Sequence, residues 1–249
     1  MSSRWLGLAC LSLGVAMIIV DATIVNVAVP ALVADLGLDS TQAEWVNTTY
    51  ALVFAALLVT LGRVGDLVGR RATYLAGTVL FAVASMAAGL APSGELLIAA
   101  RVAQGLAGAA MLPATQSILN TTFRGHDRAI AFGVWGATIG GVAAVGPLLG
   151  GWLTTNLSWR WAFYVNVPIA IIAIVGTLIT VRESKDETAA RGWDPLGFVL
   201  VTAGLSSFVF GLVEGRLYGW LAPARPFGVF GLEWPSTTVS VIPFMLAGG

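Results

Sequence analysis

Long apolar runs separated by short polar segments fill the chain, and this pattern predicts a series of membrane-spanning helices. Each of the first seven runs is close to the length needed to cross a hydrocarbon core of about 30 Å. Lipid offers the backbone no hydrogen-bond partner, so such runs must be helical; a barrel would show alternating segments of about ten residues. The sequence therefore predicts an all-α polytopic membrane protein, with helices near residues 5–30, 44–61, 72–90, 96–118, 128–153, 161–181 and 195–213.

An eighth apolar segment begins near Thr237 and is too short to span the bilayer. From there to Gly249 a helix would extend only about 20 Å at 1.5 Å per residue. One interpretation is a re-entrant or interfacial segment. We favour the other, in which the sequence covers only part of an eighth helix.

Composition supports the membrane assignment and narrows the chemistry. Charged residues make up 10% of the chain and hydrophobic residues 57%, whereas a soluble domain carries roughly a quarter charged residues. The net charge is zero, so the chain lacks the excess of basic residues that is typical of nucleic-acid-binding proteins. Cys10 is the only cysteine, which excludes an intrachain disulfide and a cysteine-based metal cluster. We expect no metal and no cofactor.

The distribution of basic residues predicts the orientation of the helices. With the N-terminus inside, three arginines fall outside, namely Arg160, Arg216 and Arg225. Nine basic residues then fall on the cytoplasmic side: Arg4, Arg63, Arg70, Arg71, Arg124, Arg128, Arg182, Lys185 and Arg191. The positive-inside rule therefore predicts a multi-pass protein of the cell (plasma or inner) membrane with a cytoplasmic N-terminus.

Two charged residues lie at membrane depth. Asp21 is nine residues before Pro30, about 13 Å below that end of the first helix, and Arg101 lies about 8 Å into the fourth helix from the same side. Each charge would cost at least about 2.5 kcal/mol in lipid, so both should face the bundle interior. Asp21 is then a candidate proton carrier with Arg101 as its partner. The alternative is a static ion pair that clamps two helices.

The stretch GRVGDLVGRR between the second and third helices is a second candidate site. Its glycines allow a tight turn and close helix approach, while its carboxylate can accept from backbone N–H groups or from an arginine. The alternative is an ordinary loop on the cytoplasmic side, whose positive charge only fixes the orientation of the helices. The candidate residues of this predicted cytoplasmic gating loop are Gly62, Gly65, Asp66, Gly69, Arg70 and Arg71.

The fifth helix carries many glycines and one proline. Small residues at such spacings indicate close packing, and Pro147 removes a helical hydrogen bond and can bend the helix. A bent, glycine-lined helix can also rock against its neighbour, so the two interpretations are compatible. The candidate residues here are Gly146, Pro147, Gly150 and Gly151.

These stretches together resemble the major facilitator superfamily, and in particular its fourteen-helix drug/proton antiporter branch. The resemblance covers essentially the whole chain, although Val142 stands where the fifth-helix pattern usually has glycine. The short linker after the sixth helix is also similar to this branch rather than to twelve-helix branches, which have a long loop there. The similar segments are DATIVNVAVP, EWVNTTYAL, LGRVGDLVGRR, RVAQGLAGAAMLPA, GPLLGG and WRWAFYVNVPIA.

The resemblance implies a domain layout for the chain. Residues 1–181 would form the N-terminal six-helix transporter bundle, and residues 182–194 a short cytoplasmic linker. Residues 195–249 would contain an extra central helix, an external loop and part of an eighth helix. The family has fourteen helices, so the chain would supply the first half of an exporter.

The resemblance also implies a function, namely proton-coupled efflux of hydrophobic or cationic drugs by alternating access, driven by the proton gradient. Asp21 would take part in proton coupling or substrate response, Arg101 would assist, and Asp66 with Arg70 would stabilise one gating state. Thr23 and Asn26 could line the substrate cavity or, as we favour, hydrogen-bond between helices.

Two hypotheses about the activity of the chain follow. In the first it is a transporter, not an enzyme, which lies in the bilayer, handles a drug-like molecule and protons, and requires a C-terminal half or a second copy of itself. In the second it is a non-transporting membrane protein that associates with a full-length exporter.

Overall fold

The computed structural model describes residues 3–185, 195–224, 228–229, 232–234 and 238–248. Helices account for nearly all of the ordered elements, and one pair of two-residue antiparallel strands lies near the end. The elements are α1 (Ser3–Leu36), α2 (Ser40–Val68), α3 (Arg70–Gly89), α4 (Gly94–Thr122), α5 (Gly125–Asn156), α6 (Trp161–Tyr164), α7 (Asn166–Thr180), α8 (Pro195–Tyr218), β1 (Gly228–Val229), β2 (Leu232–Glu233) and α9 (Ile242–Gly248).

The fold class predicted from the sequence is confirmed. Within the described residues, seven helical segments are long and apolar enough to cross a membrane, and they correspond to the seven predicted runs. The sixth of these combines α6 and α7, which are interrupted at Val165. Pro168 explains the interruption because it has no N–H to donate to the carbonyl of Tyr164.

Most helices extend beyond the predicted ends because local capping supports additional polar turns. The first helix does not end at Pro30, since α1 continues to Leu36. Asp39 then begins α2: its carboxylate accepts from the Gln42 N–H at 2.7 Å, and the Gln42 side chain accepts from the Asp39 N–H. This reciprocal capping box fixes the α1–α2 turn.

The predicted eighth segment is only partly helical. Helix α9 covers Ile242–Gly248, whereas residues 238–241 before it are not helical. Thr237 and Gly249 lie outside the described residues, as do residues 186–194 of the predicted linker. The first part of that linker, residues 182–185, has no regular secondary structure.

The bundle is built around α1, the most buried of the seven candidate spans. Helix α1 packs against α5 and α7, while α4 packs against α2 and α3. Helix α8 joins the bundle through α2 and also contacts α9. Two hydrophobic clusters, one towards each end of the bundle, fill the interior between these helices.

Polar contacts tie the helices together at both ends of the bundle. At the end that carries the N-terminus, Arg4 pairs with Asp127 at 2.9 Å. At the opposite end, Asp35 of α1 accepts from Arg160 at 2.6 Å and from the Trp159 indole at 2.9 Å. Two basic residues used for the orientation, Arg191 and Arg225, lie outside the described residues.

Candidate functional site

A buried ion pair between α1 and α4 forms the centre of the molecule. Asp21 and Arg101 are both 0% exposed, and the guanidinium Nη1 donates to Asp21 Oδ2. The sequence placed the two charges at comparable depth, and the structure brings them into contact. Because α1 continues past Pro30, however, Asp21 lies about 22 Å from the end of its helix, deeper than the sequence arithmetic suggested.

Three neutral side chains complete this buried polar cluster. Gln104 and Asn166 each donate to Asp21 Oδ1 at 2.8 Å. Both amides also donate to Ser85 Oγ, at 2.8 Å and 3.2 Å respectively. All three side chains are 0% exposed. The carboxylate of Asp21 is thereby bonded to α4 and α7, and Ser85 connects α3 to the same cluster.

Arg101 has partners that do not depend on Asp21. Its Nε donates to the Val46 carbonyl at 3.0 Å, and its Nη1 also donates to Gln104 Oε1 at 2.9 Å. The guanidinium carbon lies 4.1 Å from the centre of the Tyr50 ring, a cation–π distance. The cation therefore keeps favourable contacts with α2 and α4 if its bond to Asp21 is lost.

Sequence reasoning missed Ser85, Gln104, Asn166 and Tyr50. A signal was present for three of them. Gln104 lies one helical turn after Arg101, and Asn166 and Tyr50 lie within the family-like segments WRWAFYVNVPIA and EWVNTTYAL. Asn166 Oδ1 has no hydrogen-bond partner among the described residues, although the side chain is buried. A buried amide oxygen without a partner marks a place where an additional donor fits.

Thr23 and Asn26 lie on α1 but outside the buried polar cluster. Thr23 Oγ1 donates to the carbonyls of its own helix, at Ile19 and Val20. Asn26 donates to the Ala22 carbonyl and accepts from the Asn47 amide of α2 at 2.9 Å. Asn26 thus forms an interhelical contact, while Thr23 satisfies its hydroxyl locally.

The predicted gating loop is almost entirely helical, which corrects the expectation of a loop. Gly62, Gly65 and Asp66 belong to the last turns of α2, and Arg70 and Arg71 begin α3. A single residue, Gly69, separates the two helices. Its φ is 141°, a conformation that other residues adopt only with strain.

The helical glycines of this junction do not make the turn, and Gly62 alone of the two has a tight contact. A Cβ on Gly62 would lie 3.2 Å from the Pro113 ring, whereas one on Gly65 would lie 3.6 Å from Thr73, an ordinary van der Waals distance. Asp66 accepts from Arg70 Nε and Nη2, both at 2.8 Å, so the predicted pairing of these two residues is present.

Glu183, which the sequence did not single out, caps the start of α3. Its carboxylate accepts from the N–H groups of Arg71 and Ala72, each at 2.9 Å. Arg71 in turn donates through Nη2 to the Leu178 carbonyl at 2.9 Å. A carboxylate at a helix N-terminus satisfies unpaired N–H groups and complements the helix dipole. The segment after α7 is therefore fastened to the α2–α3 junction.

The glycines of α5 do not form one continuous packing surface. A Cβ on Gly146 would collide with Thr23 Oγ1, and one on Gly150 would lie 3.1 Å from the Ile24 Cα. By contrast, Gly151 has open space around it. Pro147 lies inside the helix. Thus Gly146 and Gly150 alone of these candidates let α5 approach the backbone of α1.

Comparison with known proteins identifies the family to which this chain belongs. The sequence profile described as Major Facilitator Superfamily matches residues 11–249. The chain belongs to the Major Facilitator Superfamily. Its fold agrees with a solved major facilitator-type structure, a peptide transporter POT, with a TM-score of 0.67 over 86% of this chain and 52% of that one. At 15% identity this likeness concerns the fold alone.

Curated relatives in this superfamily are antibiotic resistance and multidrug export proteins. The puromycin resistance protein of Streptomyces alboniger is 41% identical over 88% of this chain and 44% of its own length. The multidrug export protein EmrB of Escherichia coli K12 is 34% identical over 85% of this chain and 41% of its own length. The chain thus spans less than half the length of these major facilitator relatives.

Proposed function

We propose that this chain forms the N-terminal bundle of an exporter that moves hydrophobic or cationic small molecules, such as drugs and antibiotics, in exchange for protons by alternating access. The observation that carries the proposal is the fully buried pair of Asp21 and Arg101 in a superfamily member whose relatives are antibiotic resistance and export proteins. An ionisable pair at membrane depth is costly and usually functional. The proton gradient supplies the driving force.

Asp21 is the proposed proton carrier, because its ionisation state determines how firmly α1 is held by two other helices. The ionised carboxylate accepts from Arg101 and Gln104 on α4 and from Asn166 on α7. Charge-assisted hydrogen bonds of this kind are about twice as strong as neutral ones. Protonation weakens all three together, so it favours arrangements in which α1 moves relative to α4 and α7.

Two further elements support alternating access. Asp66 and Arg70 are proposed to stabilise one gating state at the cytoplasmic face, since their ion pair spans the break at Gly69. The Gly146 and Gly150 surface, with Pro147 between them, is proposed to let α5 rock against α1. Thr23 then contributes a polar group beside this moving surface, whereas Asn26 contributes one on the side of α1 that faces α2.

The proposed layout keeps residues 1–181 as the bundle, 182–194 as a cytoplasmic linker and 195–249 as an extra central segment. A working exporter then needs a C-terminal half or a second copy of the chain. The alternative is a non-transporting partner of a full-length exporter.

Dye efflux from proteoliposomes tests the proposal. An imposed pH gradient should drive no efflux by the purified 249-residue chain alone and should drive efflux once the C-terminal half of a related exporter is co-expressed. Efflux by the chain alone would identify a second copy as its partner. Absence of dye efflux in both arrangements would contradict the proposal. Loss of efflux by a full-length exporter when the chain is added to it would favour the non-transporting alternative.

A further inference from the structure

A crevice of about 290 Å³ lies between α1, α2 and α8 and reaches the buried ion pair. Arg101 and Tyr50 form its inner surface, and the hydrogen-bonded amides of Asn26 and Asn47 line its sides. Val213 of α8 completes the wall, and the remaining lining residues are Ala22, Thr48 and Ala51. Most of the lining surface is apolar, but five of these eight side chains carry polar groups. Those groups can supply the roughly two to four hydrogen-bond partners that a buried water molecule needs.

The crevice lies in the half of the bundle nearest the α1–α2 turn. Asn47 is seven residues after the start of α2 at Ser40, and Val213 is five residues before the end of α8 at Tyr218. These spacings place both residues about 8 to 10 Å from the ends of their helices. On the orientation predicted from the basic residues, this is the external half, from which an exporter driven by inward proton flow takes its protons.

We propose that this crevice is the path by which protons reach Asp21 from outside the cell, and that α8 acts as its wall. The proposal rests on the proton-coupled function above. A hydronium ion in the crevice loses one proton to Asp21 Oδ2 and becomes water, so that one O–H bond breaks and one forms. Arg101 keeps all of its own protons and gives up only its hydrogen bond to Asp21.

The contacts of Arg101 allow this step without removing the cation. The guanidinium stays bonded to the Val46 carbonyl and to Gln104 Oε1, and it stays against the Tyr50 ring. It borders the crevice on one side and Asp21 on the other. In the proposed step, loosening this ion pair opens Asp21 Oδ2 to water in the crevice, while Gln104 and Asn166 still hold Oδ1.

Contacts with α2 keep α8 in place as the wall of the crevice. Glu214, next to Val213, is 1% exposed and interacts with Thr48 and Glu44 of α2. Helix α8 is held in place on α2 by a hydrogen bond between Thr60 and Thr202 at 3.1 Å.

Cysteine labelling tests water access directly, because Cys10 is buried and is the only native cysteine. In a Cys10→Ala background, Val213→Cys should react with a positively charged, membrane-impermeant methanethiosulfonate added from outside. Leu212→Cys is the matched control, because Leu212 is 50% exposed at the same depth but lies outside the crevice. Thiols react as thiolates, which form in water and not in lipid.

We expect Val213→Cys to react several times faster than Leu212→Cys, and Ala51→Cys, on the α2 wall, to behave like Val213→Cys. Equal rates at positions 212 and 213, or labelling of position 213 only from the cytoplasmic side, would overturn the proposal. Because Ala51→Cys adds a single sulfur atom, it keeps the test decisive if the α8 variant does not fold.

Transport measurements separate this proposal from the proposed function itself. Val213→Trp should fill the crevice, slow proton-driven dye efflux severalfold and leave the exchange of labelled for unlabelled dye unchanged, while Leu212→Trp should change neither. Equal loss of both activities in Val213→Trp would contradict a proton path. All of these measurements use the chain co-expressed with the C-terminal half of a related exporter. Absence of both activities in that unmodified pair would instead contradict the exporter function, and the labelling result would still report on the crevice.

Discussion

Breaking the buried ion pair of Asp21 and Arg101 should lower the stability of the protein. Both charges are removed from water, which costs several kcal/mol for each ion unless hydrogen bonds and the partner charge compensate. Here Asp21 accepts three hydrogen bonds, and Arg101 has three further contacts. Removing one partner leaves the other as an uncompensated buried charge.

Asp21→Asn should abolish proton coupling while the protein still inserts into the membrane. The asparagine amide does not gain or lose a proton as the carboxyl group does. Its NH₂ group is also a donor, and it would face the donor of Arg101, Gln104 or Asn166 instead of accepting from it. We expect a loss of about 3–5 kcal/mol in stability, typical of a broken buried ion pair. Proteoliposomes would show exchange of dye but no proton-driven efflux. A variant that retains proton-driven efflux would exclude Asp21 as the carrier.

Asn166→Leu tests the part of the cluster that sequence reasoning missed. The change keeps the size of the side chain but removes the donor to Asp21 Oδ1 and to Ser85 Oγ. Loss of a hydrogen bond to a charged group should lower the free energy of unfolding by about 1.5–3 kcal/mol. Chemical denaturation in detergent measures this free energy of unfolding.

Asn156→Leu is the control for that change, because Asn156 is exposed and bonds only its own helix at the Trp152 carbonyl. Its free energy of unfolding should change by no more than about 0.5 kcal/mol, as for most surface substitutions. Equal effects of the two variants would show that Asn166 does not support Asp21.

Exchange of the two charges, Asp21→Arg with Arg101→Asp, should restore only part of the stability lost in each single variant. An arginine on α1 does not inherit the Val46 carbonyl or the Tyr50 ring, and an aspartate on α4 does not inherit Asn166. Unfolding of the four proteins of the cycle measures the coupling. Complete rescue would show that the neutral partners contribute nothing, and the absence of any rescue would argue against direct coupling.

Sequence reasoning could find the charges of this cluster but not its shape. A carboxylate and a guanidinium stand out in apolar runs, and the spacing along two helices gives their depth. Ser85 and Asn166 look like ordinary small polar residues until α3 and α7 are packed beside α1. Which side chains meet depends on the tertiary arrangement of four helices, and no local pattern encodes it.

At the scale of elements, the predicted spans were correct in number and position, and their ends were wrong in a consistent direction. Residues that look like loop in sequence are helical where capping or packing supports them, as at Asp66 and Gly65. The glycine-rich junction contains a single break, at Gly69. Propensity alone cannot identify which glycine breaks the helix, because tertiary contacts such as that of Gly62 with Pro113 also decide where a helix continues.

Gly146→Ala should destabilise the α1–α5 contact, whereas Gly136→Ala should not. A methyl group at position 146 meets Thr23, and overpacking of this kind costs about 1–3 kcal/mol. Position 136 is in open space, where alanine should stabilise the helix by about 0.5–1 kcal/mol. Thermal unfolding in detergent distinguishes the two. Adding Thr23→Ala to Gly146→Ala should recover part of the loss, since it removes the hydroxyl but leaves the Thr23 Cβ.

At the scale of the whole molecule, polar clamps lie at both ends of a largely apolar bundle. Asp35 holds the end of α1 to the segment before α6 through Trp159 and Arg160. Glu183 holds the segment after α7 to the α2–α3 junction. The buried ion pair lies between these clamps. One clamp thus fixes the end of α1 at Asp35, and the other ties the junction that carries Asp66 directly to the segment after α7.

Glu183→Ala should release the start of the linker without unfolding the bundle. The change leaves the N–H groups of Arg71 and Ala72 without their cap, and loss of a helix cap costs about 0.5–2 kcal/mol locally. Limited trypsin digestion, read by mass spectrometry, should therefore show faster cleavage after Lys185 in this variant, a site whose following residue the change leaves unaltered. Glu95→Ala, an exposed change in the first turn of α4 at the other end of the bundle, should leave that rate unchanged. Equal cleavage rates in Glu183→Ala and the unmodified protein would show that the carboxylate does not hold this segment in place.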